Sequence, residues 1–293
     1  MNMDFKSAKE LLALCAENAL PISEVMRRRE CLLGEVEQDA VDRRMAKAWD
    51  IMRASATQPL ETPIKSMGGL IGGEAKTLQA HAAEGKGICG DVLQKAMTYA
   101  MAVLEVNASM GLIVAAPTAG SAGVVPGLLL ALQECYDLPD GRIVDALFNA
   151  GAVGYLAMRN ATVAGAVGGC QAEVGIASAM AASAAVELLG GTPQQCLDAA
   201  STVLMNMLGL VCDPVGGLVE YPCQNRNAAG VANALVAAEM ALSGIRQLIP
   251  FDQMLEAMYA VGKRLPAELR ETALGGCAAT PAACAACGLC SGN

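Results

Sequence analysis

Three cysteines stand where thiol chemistry is possible. Cys170 lies in Gly168-Gly169-Cys170-Gln171-Ala172-Glu173, Cys212 in Val211-Cys212-Asp213-Pro214-Val215-Gly216-Gly217, and Cys223 in Tyr221-Pro222-Cys223-Gln224-Asn225-Arg226-Asn227. Each is at the edge of a helical stretch. A cysteine that serves as a small hydrophobe sits within a helix face, whereas a loop or a helix N-terminus lowers the thiol pKa and frees a thiolate for metal. Three such ligands suggest an iron–sulfur cluster with one open iron, although separations of 42 and 11 residues match no ferredoxin run. Cys15, Cys31, Cys135 and Cys196 read as core residues by comparison. The single histidine, His81 in Gln79-Ala80-His81-Ala82, makes Cys/His zinc sites and serine–histidine chemistry within one chain hard to build.

Glycine-rich segments offer a second kind of chemistry. Lys65–Glu74, Pro117–Gly127 and Asp213–Gly217 interrupt the helical pattern, and none contains the Gly-Lys-Ser/Thr of a phosphate loop or a strand–GxGxxG–helix context. A Gly/Ser/Thr loop entering a helix points backbone N–H groups at an anion, and an amino-acid carboxylate fits there as well as a phosphate. Tight turns between packed helices are the alternative. The end of the chain offers a third: Cys284-x2-Cys287-x2-Cys290 resembles the first three ligands of a ferredoxin run, without the fourth cysteine and its proline. An electron carrier or scaffold, a zinc site completed by Cys277, and incidental thiols all remain open for this tail.

The elements that must position these groups are helices. Of 293 residues, 54% are hydrophobic but only 3% aromatic, so the apolar mass is Ala, Val, Leu, Met and Gly, which favours close helix packing. Ser7 three residues before Glu10 predicts a helix start, and Thr192, Pro193 and Gln195 predict another, running to Met207 after a Gly190-Gly191 stop. Residues 23–55 carry an amphipathic pattern, and Ala-rich helices are expected at about 91–106, 141–159, 173–189, 227–243 and 252–263, with no period-two alternation. The expected architecture is all-α: a compact multi-helix domain over 1–275 with buried Ala/Gly-rich central helices, then a Cys-rich tail over 276–293. A net charge of −9 with scattered basic residues argues against nucleic acid. The mean hydropathy of +0.40 and the uncharged stretch 106–133 invite a membrane span, but Pro117, Gly120, Gly123 and Pro126 break it. Charged Asp4, Lys6, Lys9 and Glu10 are unlike a signal peptide, so a cytoplasmic protein is expected.

Taken together, the segments 117–127, 168–182 and 212–228, with 65–76 and 270–281, resemble the alpha subunit of iron–sulfur-dependent L-serine dehydratase (L-serine ammonia-lyase) over nearly the whole chain. The resemblance implies a helical catalytic domain that converts L-serine to pyruvate and ammonia, with a [4Fe–4S] cluster on Cys170, Cys212 and Cys223 and no pyridoxal phosphate. It implies that substrate is held by Ser66, Gly68, Gly69, Thr118, Gly120, Ser121, Gly123, Asn225 and Asn227. It also implies a C-terminal cysteine that folds onto the open iron when substrate is absent, Cys290 first, with Cys287 and Cys284 as alternatives. The family's Gly-Pro-Ser-Ser-Ser-His-Thr motif is missing from this sequence. Either a separate beta subunit supplies its histidine, which is the expectation, or His81 replaces it.

Overall fold

In the computed structural model, which describes residues 3–287, the chain forms thirteen α-helices and four 3-10 turns. They are α1 (Ala8–Asn18), α2 (Ile22–Gly34), α3 (Gln38–Glu61), α4 (Glu74–Ala83), α5 (Gly90–Ala108), α6 (Val124–Tyr136), α7 (Asp140–Asn160), α8 (Gly165–Gly168), α9 (Cys170–Leu188), α10 (Pro193–Asn206), α11 (Cys223–Leu242), α12 (Phe251–Gly262) and α13 (Pro281–Cys287). The all-α expectation is met. The one sheet-like contact among the described residues is an isolated parallel bridge between Cys212 and Arg270. No helix among them is long and apolar enough to cross a membrane.

Local chemistry explains where the helices begin. The Thr192 hydroxyl accepts from the Gln195 N–H while the Gln195 carboxamide oxygen accepts from the Thr192 N–H, a reciprocal cap that starts α10. Ser7 caps α1 through the Glu10 N–H, but the Glu10 carboxylate turns back to the Lys6 N–H at 2.6 Å instead of closing a box on Ser7. Three further caps come from far along the chain. Asp252 accepts from Ala8 and Lys9 at the start of α1, Glu187 accepts from Ser23 at the start of α2, and Glu105 accepts from Ala75 at the start of α4. A buried carboxylate is tolerated where it meets unpaired helix N–H groups, which supply both hydrogen bonds and a favourable dipole. Glu187 is also held by the Asn149 carboxamide at 2.7 Å.

The expected stretch 23–55 divides at Glu35, which takes a left-handed conformation (φ 50°) and separates α2 from α3. Gly34, the last residue of α2, is the one sequence mark of that break. Two of the three consecutive arginines of α2 are buried: Arg27 pairs with Glu24, Asp42 and Asp145 and stacks on Phe148, and Arg29 pairs with Asp4 and stacks on Tyr155. Helix α9 is the centre of the molecule, apolar all round and buried along almost its whole length between α6, α7, α10 and α11. Small residues allow this closeness; a Cβ on Gly123 or Gly127 would meet the α5 backbone oxygens of Ala100 and Ala96 at 2.2 and 2.8 Å. Of the cysteines expected in the core, Cys15 and Cys196 are buried, whereas Cys31 is half-buried and Cys135 is exposed. The last two sit at the ends of helices α2 and α6, where the packed face has already turned away.

Candidate active site

Cys170 and Cys223 are the first residues of α9 and α11, so each helix starts about a turn earlier than the sequence suggests and takes its cysteine as its leading residue. Cys212 is carried by an extended segment fastened on both sides. Its N–H donates to Leu269 O at 2.9 Å and its carbonyl accepts from the Glu271 N–H at 2.6 Å. The same segment is tied to the start of α9, because the Gln171 N–H donates to Leu210 O and the Gln171 carboxamide oxygen accepts from the Gly209 N–H. Gly169 (φ 76°) permits the approach, since a Cβ there would meet Leu210 O at 2.7 Å. Three distant segments thereby bring three buried thiols into one electrostatic neighbourhood.

The thiols are not equivalent. Cys170 is held below the ordinary thiol range by a hydrogen bond from the Cys212 thiol and by the Arg226 guanidinium. Cys212 is pushed well up by giving that proton's partner the charge and by burial, and Cys223 is pushed up to about 12 by burial and by the negative charges of Cys170 and Glu173. The sequence expectation of lowered thiol pKa at all three therefore holds for Cys170 alone. Arg226 is fixed by an ion pair with Asp213 at 2.7 Å and by donation to Val211 O at 2.9 Å.

Beside the cysteines lies Glu173, one turn into α9. Its Oε2 is 3.6 Å from Cys212 Sγ, and its Oε1 accepts from Thr118 Oγ1 at 3.0 Å, which in turn lies 3.0 Å from Ser121 Oγ. Burial raises its carboxyl above the usual range. Gly165 leaves space for it, since a Cβ there would lie 2.4 Å from Glu173 Oε2 and 2.9 Å from Cys212 Sγ. Among the described residues, Glu173, Cys212 and Glu271 are the one set whose donor atoms all lie within 4.8 Å of one another, as a single ion requires. Cys170, Cys212 and Cys223 are all buried, and three buried soft donors are the right chemistry for iron and sulfide.

Comparison with known proteins decides the family. The model of the serine dehydratase alpha chain matches residues 17–290. The chain belongs to the serine dehydratase alpha chain family. It is 48% identical over 277 residues to the probable L-serine dehydratase, alpha chain, of Bacillus subtilis (strain 168), covering 94% of this chain and 92% of that one. It is 45% identical over 272 residues to the L-serine dehydratase, alpha chain, of Peptoniphilus asaccharolyticus, covering 93% of each. The L-serine dehydratase of Helicobacter pylori (strain ATCC 700392 / 26695) is 38% identical over 286 residues, which are 94% of this chain but 62% of that longer protein. The resemblance seen in the sequence is thus borne out.

In this alpha chain the two glycine-rich loops meet the cysteine pocket in different ways. The 117–127 loop is pinned by Asn227, fully buried, whose carboxamide oxygen accepts from the Gly123 N–H and whose nitrogen donates to Gly120 O and Cys223 O. All of its polar capacity on that side goes to backbone. The 65–73 loop spends Ser66 Oγ and the Gly68 N–H on the carboxylate of Glu220, while Gly69 donates to Ser66 Oγ. Asn225 is exposed on α11, and His81 is exposed in the last turn of α4, its side chain with no hydrogen bond or ion pair among the described residues. The tail leaves the site under control: Asp213 Oδ2 accepts from the Cys277 N–H at 2.6 Å, and Gly276 (φ 59°) has no space for a Cβ against Asp213. Cys284 and Cys287 lie on α13, beside a cavity of about 420 Å³ bounded by Leu70, Val215, Tyr221 and Cys277. Cys290 lies outside the described residues. Sequence reasoning missed Glu173 and Glu220, although each is a lone charge in an apolar run.

Proposed function

We propose that the protein is the catalytic alpha chain of an L-serine dehydratase, converting L-serine to pyruvate and ammonia, with Cys170, Cys212 and Cys223 holding a [4Fe–4S] cluster. The observation that carries this reading is the convergence of three buried thiols from three chain segments beside Glu173, in a family whose relatives are named for that reaction. When bound, the cluster supplies a Lewis-acidic iron that makes the β-hydroxyl of serine a better leaving group. The chain's own part is to hold three thiols rigidly at the ends of α9, α11 and the bridged 212 segment. Thr118 and Gly120 face Glu173, and Ser121 lies behind on the Thr118 hydroxyl. Together they form the wall on which substrate polar groups are recognised, while Asn227 keeps that wall fixed. The α-proton is taken by a histidine of a separate beta subunit bearing the Gly-Pro-Ser-Ser-Ser-His-Thr motif. Support comes from the longer relatives, in which a match to nearly all of this chain leaves more than a third of their length for a further part.

Ammonia release from L-serine by the anaerobically reconstituted chain with its beta subunit tests the reading. Reversible one-electron reduction without turnover would instead make the protein an electron carrier.

The tail adds a regulatory element to the same proposal. With Cys277 fastened to Asp213, a segment of thirteen residues reaches from the site's edge to Cys290. Cys290, in preference to Cys287 or Cys284, would supply a thiol ligand to the cluster at rest and so compete with serine for the site. An internal competitor weakens apparent substrate binding by the fraction of sites left open. Removing residues after Thr280 is therefore expected to lower the apparent KM for serine and shorten the life of the cluster in air. If neither changes, the tail has no part in the site.

A further inference from the structure

Glu220 is 2% exposed, and no cation pairs with it among the described residues. Its charge is met by donors from a single loop. Oε2 accepts from Ser66 Oγ at 2.7 Å and from the Leu70 N–H at 2.9 Å, and Oε1 accepts from the Gly68 N–H at 2.6 Å. Ser66 is oriented for this task because its oxygen also accepts from the Gly69 and Ile71 N–H groups. The seat is shaped closely around the carboxylate. A Cβ on Gly68 would lie 2.7 Å from Oε1 and 2.3 Å from Leu218 Cδ1. Burying a carboxylate is costly unless its lone pairs are satisfied, and this loop satisfies them with three donors.

The backbone around Glu220 leads straight to the cysteines. Its carbonyl accepts from the Gln224 N–H in the first turn of α11, immediately beyond Cys223, and the adjacent Tyr221 carbonyl accepts from the Val215 N–H, three residues beyond Cys212. Glu220 and its neighbour Tyr221 thus join the 66–70 loop to the turns that present two of the three thiols.

We propose that Glu220 is a positioning residue, its carboxylate seated permanently in the Ser66–Leu70 cradle to fix the presentation of Cys223, so that this cradle holds a side chain of the protein and not the carboxylate of the substrate. The part of this that concerns the cluster rests on the function proposed above. The choice between tenants follows from association costs. A free amino acid must surrender translational and rotational freedom to enter the cradle, whereas a side chain already anchored three residues before Cys223 surrenders almost none.

The test uses the full chain, without metal and after anaerobic reconstitution with its beta subunit, as wild type, Glu220→Ala and Glu220→Gln. The alanine variant lacks two carbons and two oxygens that acetate restores. In the metal-free chain, acetate is expected to raise the melting temperature of Glu220→Ala by a few degrees and to leave the wild type unmoved, as for a ligand that binds only where the seat is vacant. In the reconstituted protein, Glu220→Ala is expected to lose its cluster absorbance in air about tenfold faster than wild type, corresponding to about 1.4 kcal/mol. Acetate should slow that loss, and the KM for serine should stay within about twofold of wild type because no substrate contact has been removed. Glu220→Gln keeps acceptors but places an N–H₂ against N–H donors, so it should fall between the two, and it carries the comparison if the alanine variant does not fold. A lowered KM for serine with unaltered cluster lifetime would show the cradle to be the substrate's seat and overturn the proposal. So would an absence of any acetate effect on the metal-free variant, a result that does not depend on whether a cluster forms.

Discussion

Replacing Cys170, Cys212 or Cys223 by alanine is expected to leave a folded helical protein that assembles no complete cluster and turns serine over less than about one-thousandth as fast as wild type. A thousandfold loss corresponds to about 4 kcal/mol of transition-state stabilisation, the scale expected when the polarising metal is lost. The fold should survive because each cysteine sits at the start of a helix or in a bridged segment, while the core is carried by α9 and its neighbours. Iron and sulfide content after anaerobic reconstitution, measured beside the far-ultraviolet circular dichroism, separates loss of the site from loss of the fold. Unchanged iron content in any one of the three variants would remove that cysteine from the ligand set.

Much of this site was legible in the residues because thiols have distinctive chemistry and two of the three begin helices. Cys170, Cys212 and Cys223 stood out through their glycine and proline neighbours, and the structure brings them together. What was not legible is tertiary. The division of α2 from α3 depends on a left-handed Glu35, a residue with no turn preference of its own. The first turn of helix α6 lay in the stretch read as a loop to Gly127, because Gly123 and Gly127 serve helix-to-helix contact with α5 and not flexibility. Glu173 and Glu220 were passed over because a carboxylate gains its role from partners 55 and about 150 residues away, Thr118 and the Ser66–Leu70 loop. The same holds for the loop residues themselves: Ser66 and Gly68 were read as groups that meet a substrate anion, and in the structure they donate to the carboxylate of Glu220.

The alpha chain by itself is expected to release ammonia from serine at least about a hundredfold more slowly than the alpha chain with its beta subunit, the range in which a positioned general base contributes. The geometry supports this from the negative side. The single histidine of the sequence is exposed near the end of α4, and no contact among the described residues links it to the thiols or to Glu173. Titrating the beta subunit into the reconstituted chain and following ammonia release measures the gain. Full activity without it would return the base to this chain, and His81→Ala would then be the variant to make.

The carboxylates that cap helices from afar bear on the order in which the chain acquires structure. Helix α1 begins at residue 8, yet the groups that satisfy its first N–H groups belong to Asp252, 244 residues downstream in sequence. Helix α2 waits in the same way for Glu187, 164 residues from Ser23. During synthesis on the ribosome, the first two helices therefore emerge long before their caps do, and contacts of such separation close late. The amino-terminal segment is made first and finished last. Until Asp252 has left the exit tunnel, the first N–H groups of α1 lack the carboxylate that accepts from them in the mature protein. For this chain the direction of translation and the direction of consolidation run against each other.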